Sequence, residues 1–252
     1  MNTNRQTAVI KRGQATTHQK ESKMKPTASK LIRWAGLSAM VAGIIYVVIQ
    51  PVHPPDVLAS VTTARWAIVH SFGVAMCFLG LLGMAGLYAR QVKEVGWLGL
   101  AGYLLFSLFY ALTLAFQFIE AFISPLLATA APKLAEGLLG LSSRHASEVN
   151  LGALPTVYAL LAVPYILGGL LFGIATFRAG ILPRWAAGLL AVAAALTPAA
   201  ALVPHPLDRI AAVPVGLALA WLGYALWSER REKASEPVPG RESPQLRQTG
   251  AE

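Results

Sequence analysis

Apolar residues in this chain are gathered into long blocks, separated by short polar connectors, between Leu31 and Trp227. Blocks of this length suit membrane-crossing helices better than the amphipathic elements of a water-soluble core. Six blocks can be drawn, over about 31–50, 63–89, 96–122, 155–177, 185–203 and 210–228. Three of them open on a tryptophan and run to a carboxylate: Trp34 to Asp56, Trp97 to Glu120 and Trp185 to Asp208, separations of 22, 23 and 23 residues. At ~1.5 Å per residue that is roughly 33–35 Å, the hydrocarbon core plus one interface. The pattern predicts an all-α polytopic bundle of six transmembrane helices, arranged as three hairpins, with an acidic group at one common depth.

Composition sharpens this picture. The 252 residues are 55% hydrophobic and 13% charged, outside the range of ordinary soluble domains. The net charge of +9 does not point to nucleic acid, because much of the surplus lies in the two tails. Placing both ends in the cytoplasm puts 17 of the 21 Lys and Arg on that side, which is the asymmetry expected of a membrane protein. Trp34, Trp97 and Trp185 then form an aromatic belt at the inner headgroup level. Residues 1–30 read as a disordered basic tail, 31–228 as the six-helix domain and 229–252 as a second disordered tail. The first block reads as a retained helix rather than a signal peptide, and Met24 would serve equally well as a start. The single cysteine, Cys77, allows neither an intrachain disulfide nor a Cys-based metal motif.

Two features recur within the chain. L-I-R-W-A-G (31–36) resembles L-P-R-W-A-A (182–187), and the two lead to H-P-P-D (53–56) and H-P-L-D (205–208). F-L-G-L-L-G-M-A-G-L-Y-A-R (78–90) likewise resembles I-L-G-G-L-L-F-G-I-A-T-F-R (166–178), a parallel repeat of the kind found in transporters and also produced by shared helix anchors. Gly36/Gly43, Gly73/Gly80 and Gly216/Gly223 each recur at seven residues, and Gly169 and Gly173 form G-x-x-x-G. Glycines so spaced line one helix face and predict close helix contacts. Pro164 and Pro198 predict kinks in the fourth and fifth blocks, and Pro155 an N-terminal first turn for the fourth. On the outer side, 124–154 predicts a short amphipathic helix with Leu134, Leu138 and Leu141 on one face, lying on the surface or capping the bundle.

The chemistry-bearing residues collect in the outer third. His53, Asp56, His70, Glu120, His205 and Asp208 are the candidate metal ligands, accompanied by Arg65, Gln117 and Arg209. Imidazole and carboxylate are ordinary ligands of zinc and other divalent cations, and such an ion could activate water at the outer leaflet. Five of these residues have plainer readings: Asp208 as a helix N-cap beside Arg209, His53 and His205 in interfacial Pro-rich turns, and Asp56 and Arg65 paired with each other or solvated. His70 and Glu120 differ, because both interrupt apolar helix (W-A-I-V-H-S-F and F-Q-F-I-E-A-F), where an uncompensated charge demands a partner or a proton. Proton relay through this pair is the transport version of the same idea. H-E-x-x-H, G-x-S-x-G, phosphate-loop and Rossmann motifs are all missing from the sequence.

F-I-E-A-F-I-S-P-L-L-A-T-A-A-P (118–132), with G-L-Y-A-R (86–90) and the H-P after the first block, resembles a group of uncharacterised bacterial multi-pass membrane proteins. The resemblance covers most of 31–228 and implies six spans in a bacterial inner membrane; it implies no activity. The expectation is therefore a non-enzymatic membrane protein with no resident cofactor: a small transporter, channel or accessory subunit. Its partners would be the lipid bilayer and a small solute or lipid, and not nucleic acid. The alternative is a membrane-embedded metal-dependent hydrolase or transferase.

Overall fold

A computed structural model describes residues 28–143, 145–202 and 207–235. They are almost wholly helical, with no strand among them. Helix α1 is Ala28–Val52 and α2 is Ala64–Gln91. Helix α3 runs over Gly96–Ala130, changing register in a π turn at Ile119–Ile123. Helix α4 is Pro132–Ser143, and α5 is Leu154–Ala179 with a break at Leu161. Helix α6, Arg184–Leu196, continues as a 3-10 segment, Thr197–Leu202. A second 3-10 turn, Leu207–Ala212, leads into α7, Val213–Ser235. Five segments (α1, α2, α3, α5 and Arg209–Ser228) are long and apolar enough to cross a membrane, while Arg184–Ala200 is apolar but shorter.

Six helices close into a ring in chain order: α1 lies between α7 and α2, α3 between α2 and α5, and α6 between α5 and α7. Side-chain register shows that these neighbours are antiparallel. Gly83 and Gly86 of α2 meet Ala39 and Ala35 of α1, and Gly102 and Gly168 meet Phe172 and Phe106 across the α3–α5 seam. The starts of α1, α3 and α6 therefore share one end, where Trp34, Trp97 and Trp185 are 66%, 85% and 80% exposed. The expected tryptophan belt is thus a spatial feature. At this end Arg33 stacks 5.5 Å above the Trp227 ring, and buried Gln91 of α2 donates to Thr176 of α5 at 2.8 Å.

Glycine sets the helix spacing. On the α1–α7 seam a Cβ on Gly43 would lie 2.5 Å from Gly216 O, and one on Gly36 would lie 2.8 Å from Trp227 N. Both seven-residue glycine pairs predicted for these helices face each other, so the two backbones touch. Gly173 meets Ala191 and Ala187 on the α5–α6 seam in the same way. The tryptophan half of the ring is filled by Met84, Leu87, Phe106, Phe172, Leu190 and Leu222, all essentially inaccessible to solvent.

The opposite half is less regular. Pro164 cannot donate to Leu160, and α5 breaks just there, at Leu161. Pro198 ends the α-helical part of α6 rather than kinking a continuous helix, since the chain goes on as 3-10. Helix α4 caps this end, with Leu134, Leu138 and Leu141 partly buried and Lys133 and Glu136 exposed. Ala135, Gly137, Leu139 and Gly140 are the buried positions, and Leu139 joins Val61 and Trp66 in a small apolar cluster. The longer leucines sit only half-buried because the small residues let α4 lie closer to the bundle.

The glycine seam can be tested against a loosely packed glycine. Gly43→Ala drives a methyl into the α7 backbone and is expected to lose about 1–3 kcal/mol, the usual cost of overpacking. Gly188→Ala, whose added carbon would come no nearer than 3.5 Å to Phe177, is expected to unfold at or above the wild-type temperature. Thermal unfolding in detergent decides; equal melting of the two variants would remove the seam's role.

Candidate functional site

The site begins with a proline. Pro125 has no N–H to give, and its ring crowds the carbonyl four residues earlier. Helix α3 accommodates it by widening into the π turn, where Ser124 N–H bonds Ile119 O instead of Glu120 O. Glu120 O is thereby released from the helix ladder, and Trp66 Nε1 donates to it across the α2–α3 seam at 2.7 Å. Single π turns of this kind recur at functional sites. Thr63 caps the start of α2 by accepting from Trp66 N at 3.3 Å, which fixes the tryptophan within the first turn.

The Glu120 side chain is bonded on one oxygen. Oε2 accepts from Gln117 Nε2 at 3.0 Å and lies 3.1 Å from His70 Nδ1. His70 Nδ1 is also 3.3 Å from Gln117 Oε1. Two acceptors face Nδ1, so the ring hydrogen belongs on that nitrogen. His70 Nε2 is buried without a hydrogen-bond partner, and a second N–H there would have no acceptor. Geometry therefore suits the singly protonated ring. Trp66 lies against this imidazole with ring centroids 4.1 Å apart. Gly73 has a role different from the predicted one. A Cβ there would collide with Gln117, so this glycine makes room for the bridging amide rather than for a neighbouring backbone.

A second centre lies alongside. Asp56 pairs closely with Arg209, while Arg65 donates to Val52 O at the end of α1 at 2.9 Å. The arginine that follows the second H-P-x-D sequence thus grips the acid of the first. Between the centres stands His53, its ring 5.0 Å from that of His70 and 6.0 Å from Trp66. Its Nδ1 faces Pro54 O at 2.6 Å and is 4.0 Å from Asp56. Burial, followed by the charge of Arg209, pushes this imidazole down to about 4, although Asp56 and Pro54 act against the shift.

A cavity of about 850 Å³ opens beside Glu120 inside the ring, lined by α1, α3, α5, α4 and the 3-10 segments. A neighbouring lobe shares Glu120, Gln117 and Thr113 with it and reaches His53, Asp56 and Arg209. Of the six sequence candidates, His53, Asp56, His70 and Glu120 are gathered here. His205 lies outside the described residues, and Asp208 is described in its backbone alone, within a 3-10 turn that precedes α7 rather than at the α-helix N-cap. Among the described residues no group of three or more His, Cys, Asp or Glu side chains is arranged to hold a metal ion. The His53 and His70 rings meet edge to face, at 87°, and both Nδ1 atoms are turned to protein oxygens. Trp66 went unrecognised in the sequence although its place four residues before His70 puts both on one face of α2. Comparison with protein-family models, curated proteins and solved structures finds no match to this chain.

Two outcomes follow from this geometry. Gln117→Leu strips Glu120 of a donor and His70 of an acceptor, and is expected to lower stability by about 1–3 kcal/mol, the cost of leaving buried polar atoms unpaired. A wild-type melting temperature in that variant would show the bridge to be dispensable. His53 is held neutral in the fold but takes a proton in the unfolded chain below its ordinary value of 6.5. The unfolded state then binds more protons, so stability is expected to fall as pH drops from 6.5 towards 4 and to lose nothing further from this group below that. His53→Gln should flatten the decline, as read by unfolding across that pH window.

Proposed function

We propose that the chain is a non-enzymatic integral protein of a bacterial inner membrane. It crosses the bilayer six times with both ends in the cytoplasm, and binds or moves a small, largely apolar solute through an outward-facing cavity. The observation that carries this reading is the division of the ring: solid at the tryptophan end, hollow at the end where Glu120, His70 and His53 are gathered. Substrate pockets of some 300–1,000 Å³ with mostly apolar walls and a few placed polar groups are typical of ligand sites.

Helix α6 is the shortest of the six crossings. Its thirteen α-helical residues span about 20 Å and the six of its 3-10 extension about 12 Å, together close to a hydrocarbon core of about 30 Å. It also stands in the ring between two helices of full span length. The lysine and arginine asymmetry supports an inward tryptophan end, so the cavity faces out. An inner half packed to this density supports a site that is loaded from outside.

Thiol accessibility in a Cys77→Ala background tests both orientation and cavity. Ala162 is exposed and lines both lobes. Ala162→Cys is expected to react with an impermeant methanethiosulfonate in intact cells and not in inverted vesicles, and Lys93→Cys to show the reverse. Reaction of Ala162→Cys from the cytoplasmic face, or from neither, would refute the outward cavity.

A further inference from the structure

We infer that the cavity takes an apolar molecule bearing a protonated amine, with Glu120 as its counter-charge. This rests on the outward-cavity reading and adds to it the chemical class of the ligand.

The argument is one of charge and of unused bonding capacity. Arg209 and Asp56 satisfy each other at the edge of the smaller lobe. His53 adds no charge near neutral pH, its imidazole being pushed down to about 4. His70 supplies Glu120 with one N–H on the side away from the cavity, and its other nitrogen is sealed off. Glu120 is thus without a lysine or arginine partner among the described residues. Its Oε1 accepts no hydrogen bond from them, while the side chain, 20% exposed, borders both lobes. A carboxylate in otherwise apolar helix calls for a cation, and the hollow in front of it is where one can be supplied.

The walls agree with that assignment. Tyr46, Phe109, Phe116 and Tyr158 line the larger lobe, and aromatic faces attract an ammonium group as well as covering its hydrocarbon. Thr113 borders the same space one turn from Gln117, and its Oγ1 is buried without a partner, an unused acceptor on the wall of the cavity. An anionic head in this position would face Glu120 with no compensating cation. A neutral head would leave the carboxylate as it stands.

The test uses full-length protein in nanodiscs and three probes on one skeleton: 4-phenylbutylammonium, 4-phenylbutanol and 4-phenylbutyrate, with binding followed by calorimetry at pH 7. Wild-type protein is expected to bind the ammonium at least tenfold more tightly than the alcohol, and the carboxylate most weakly. In Glu120→Gln that preference should shrink to within twofold while the alcohol binds as before, showing that the cavity survives. Thr113→Val should reduce ammonium affinity severalfold and leave the alcohol unchanged. Equal binding of ammonium and alcohol to wild type, or an ammonium preference that persists in Glu120→Gln, overturns the amine assignment while leaving the cavity standing. Failure of all three probes to bind overturns the cavity reading together with it.

Discussion

A carboxylate set inside apolar helix has to find its hydrogen bonds in the protein, and much of the half of this molecule opposite the tryptophan end can be traced to that requirement. Glu120 has two polar parts to satisfy. Its carbonyl is set free by the π turn that Pro125 imposes and is taken up by Trp66. Its side chain is held by Gln117 and His70. Each of these donors then requires something of its own: Gln117 needs the space that Gly73 leaves, and Trp66 needs the Thr63 cap that starts α2 where it does. An unsatisfied buried polar group costs about 1–3 kcal/mol, so loss of one member is transmitted to the others. The network couples α2 and α3 more specifically than apolar contact between two such helices could.

The hollow half and the solid half arise from different residues. Small residues at seven-residue spacing bring α1 and α7 into backbone contact, and the same logic joins α5 to α6. Towards α4, helical regularity is lost in three members of the ring at once: α3 at its π turn, α5 at Leu161 and α6 at Thr197. Glu120, Leu161 and Thr197 all border the cavity. Two prolines and a displaced register, each unremarkable alone in a membrane helix, here fall at one level and keep three helices from closing over the axis.

The sequence made the coarse architecture legible because membrane-like spans are governed by length and anchors, both of which are linear properties. The helix positions, the tryptophan end and the Gly36/Gly43 and Gly216/Gly223 faces follow from it. What stayed hidden depends on three-dimensional partners. Nothing in the spacing of Gly73 distinguishes room for an amide from room for a backbone. Asp56 lies nearer in sequence to Arg65 than to Arg209, yet Arg65 is drawn to the unpaired carbonyl at the end of α1. On α4 the leucine spacing told which residues share a face, but the deepest positions, Ala135, Gly137, Leu139 and Gly140, depend on which face the bundle approaches most closely. The six polar candidates were chosen for a shared depth, and the four whose side chains are described lie near one another.

His53 links the two polar centres. Placed between the Asp56–Arg209 pair and the Glu120–His70 pair, it touches both through its ring. Burial and the neighbouring guanidinium keep it uncharged over the physiological range. A protonated imidazole there would lie beside Arg209 as a second cation and would offer Glu120 a nearby positive charge. A neutral ring does neither. His53 thus stands uncharged between the Asp56–Arg209 ion pair and the Glu120–His70 pair, within a span of a few ångströms.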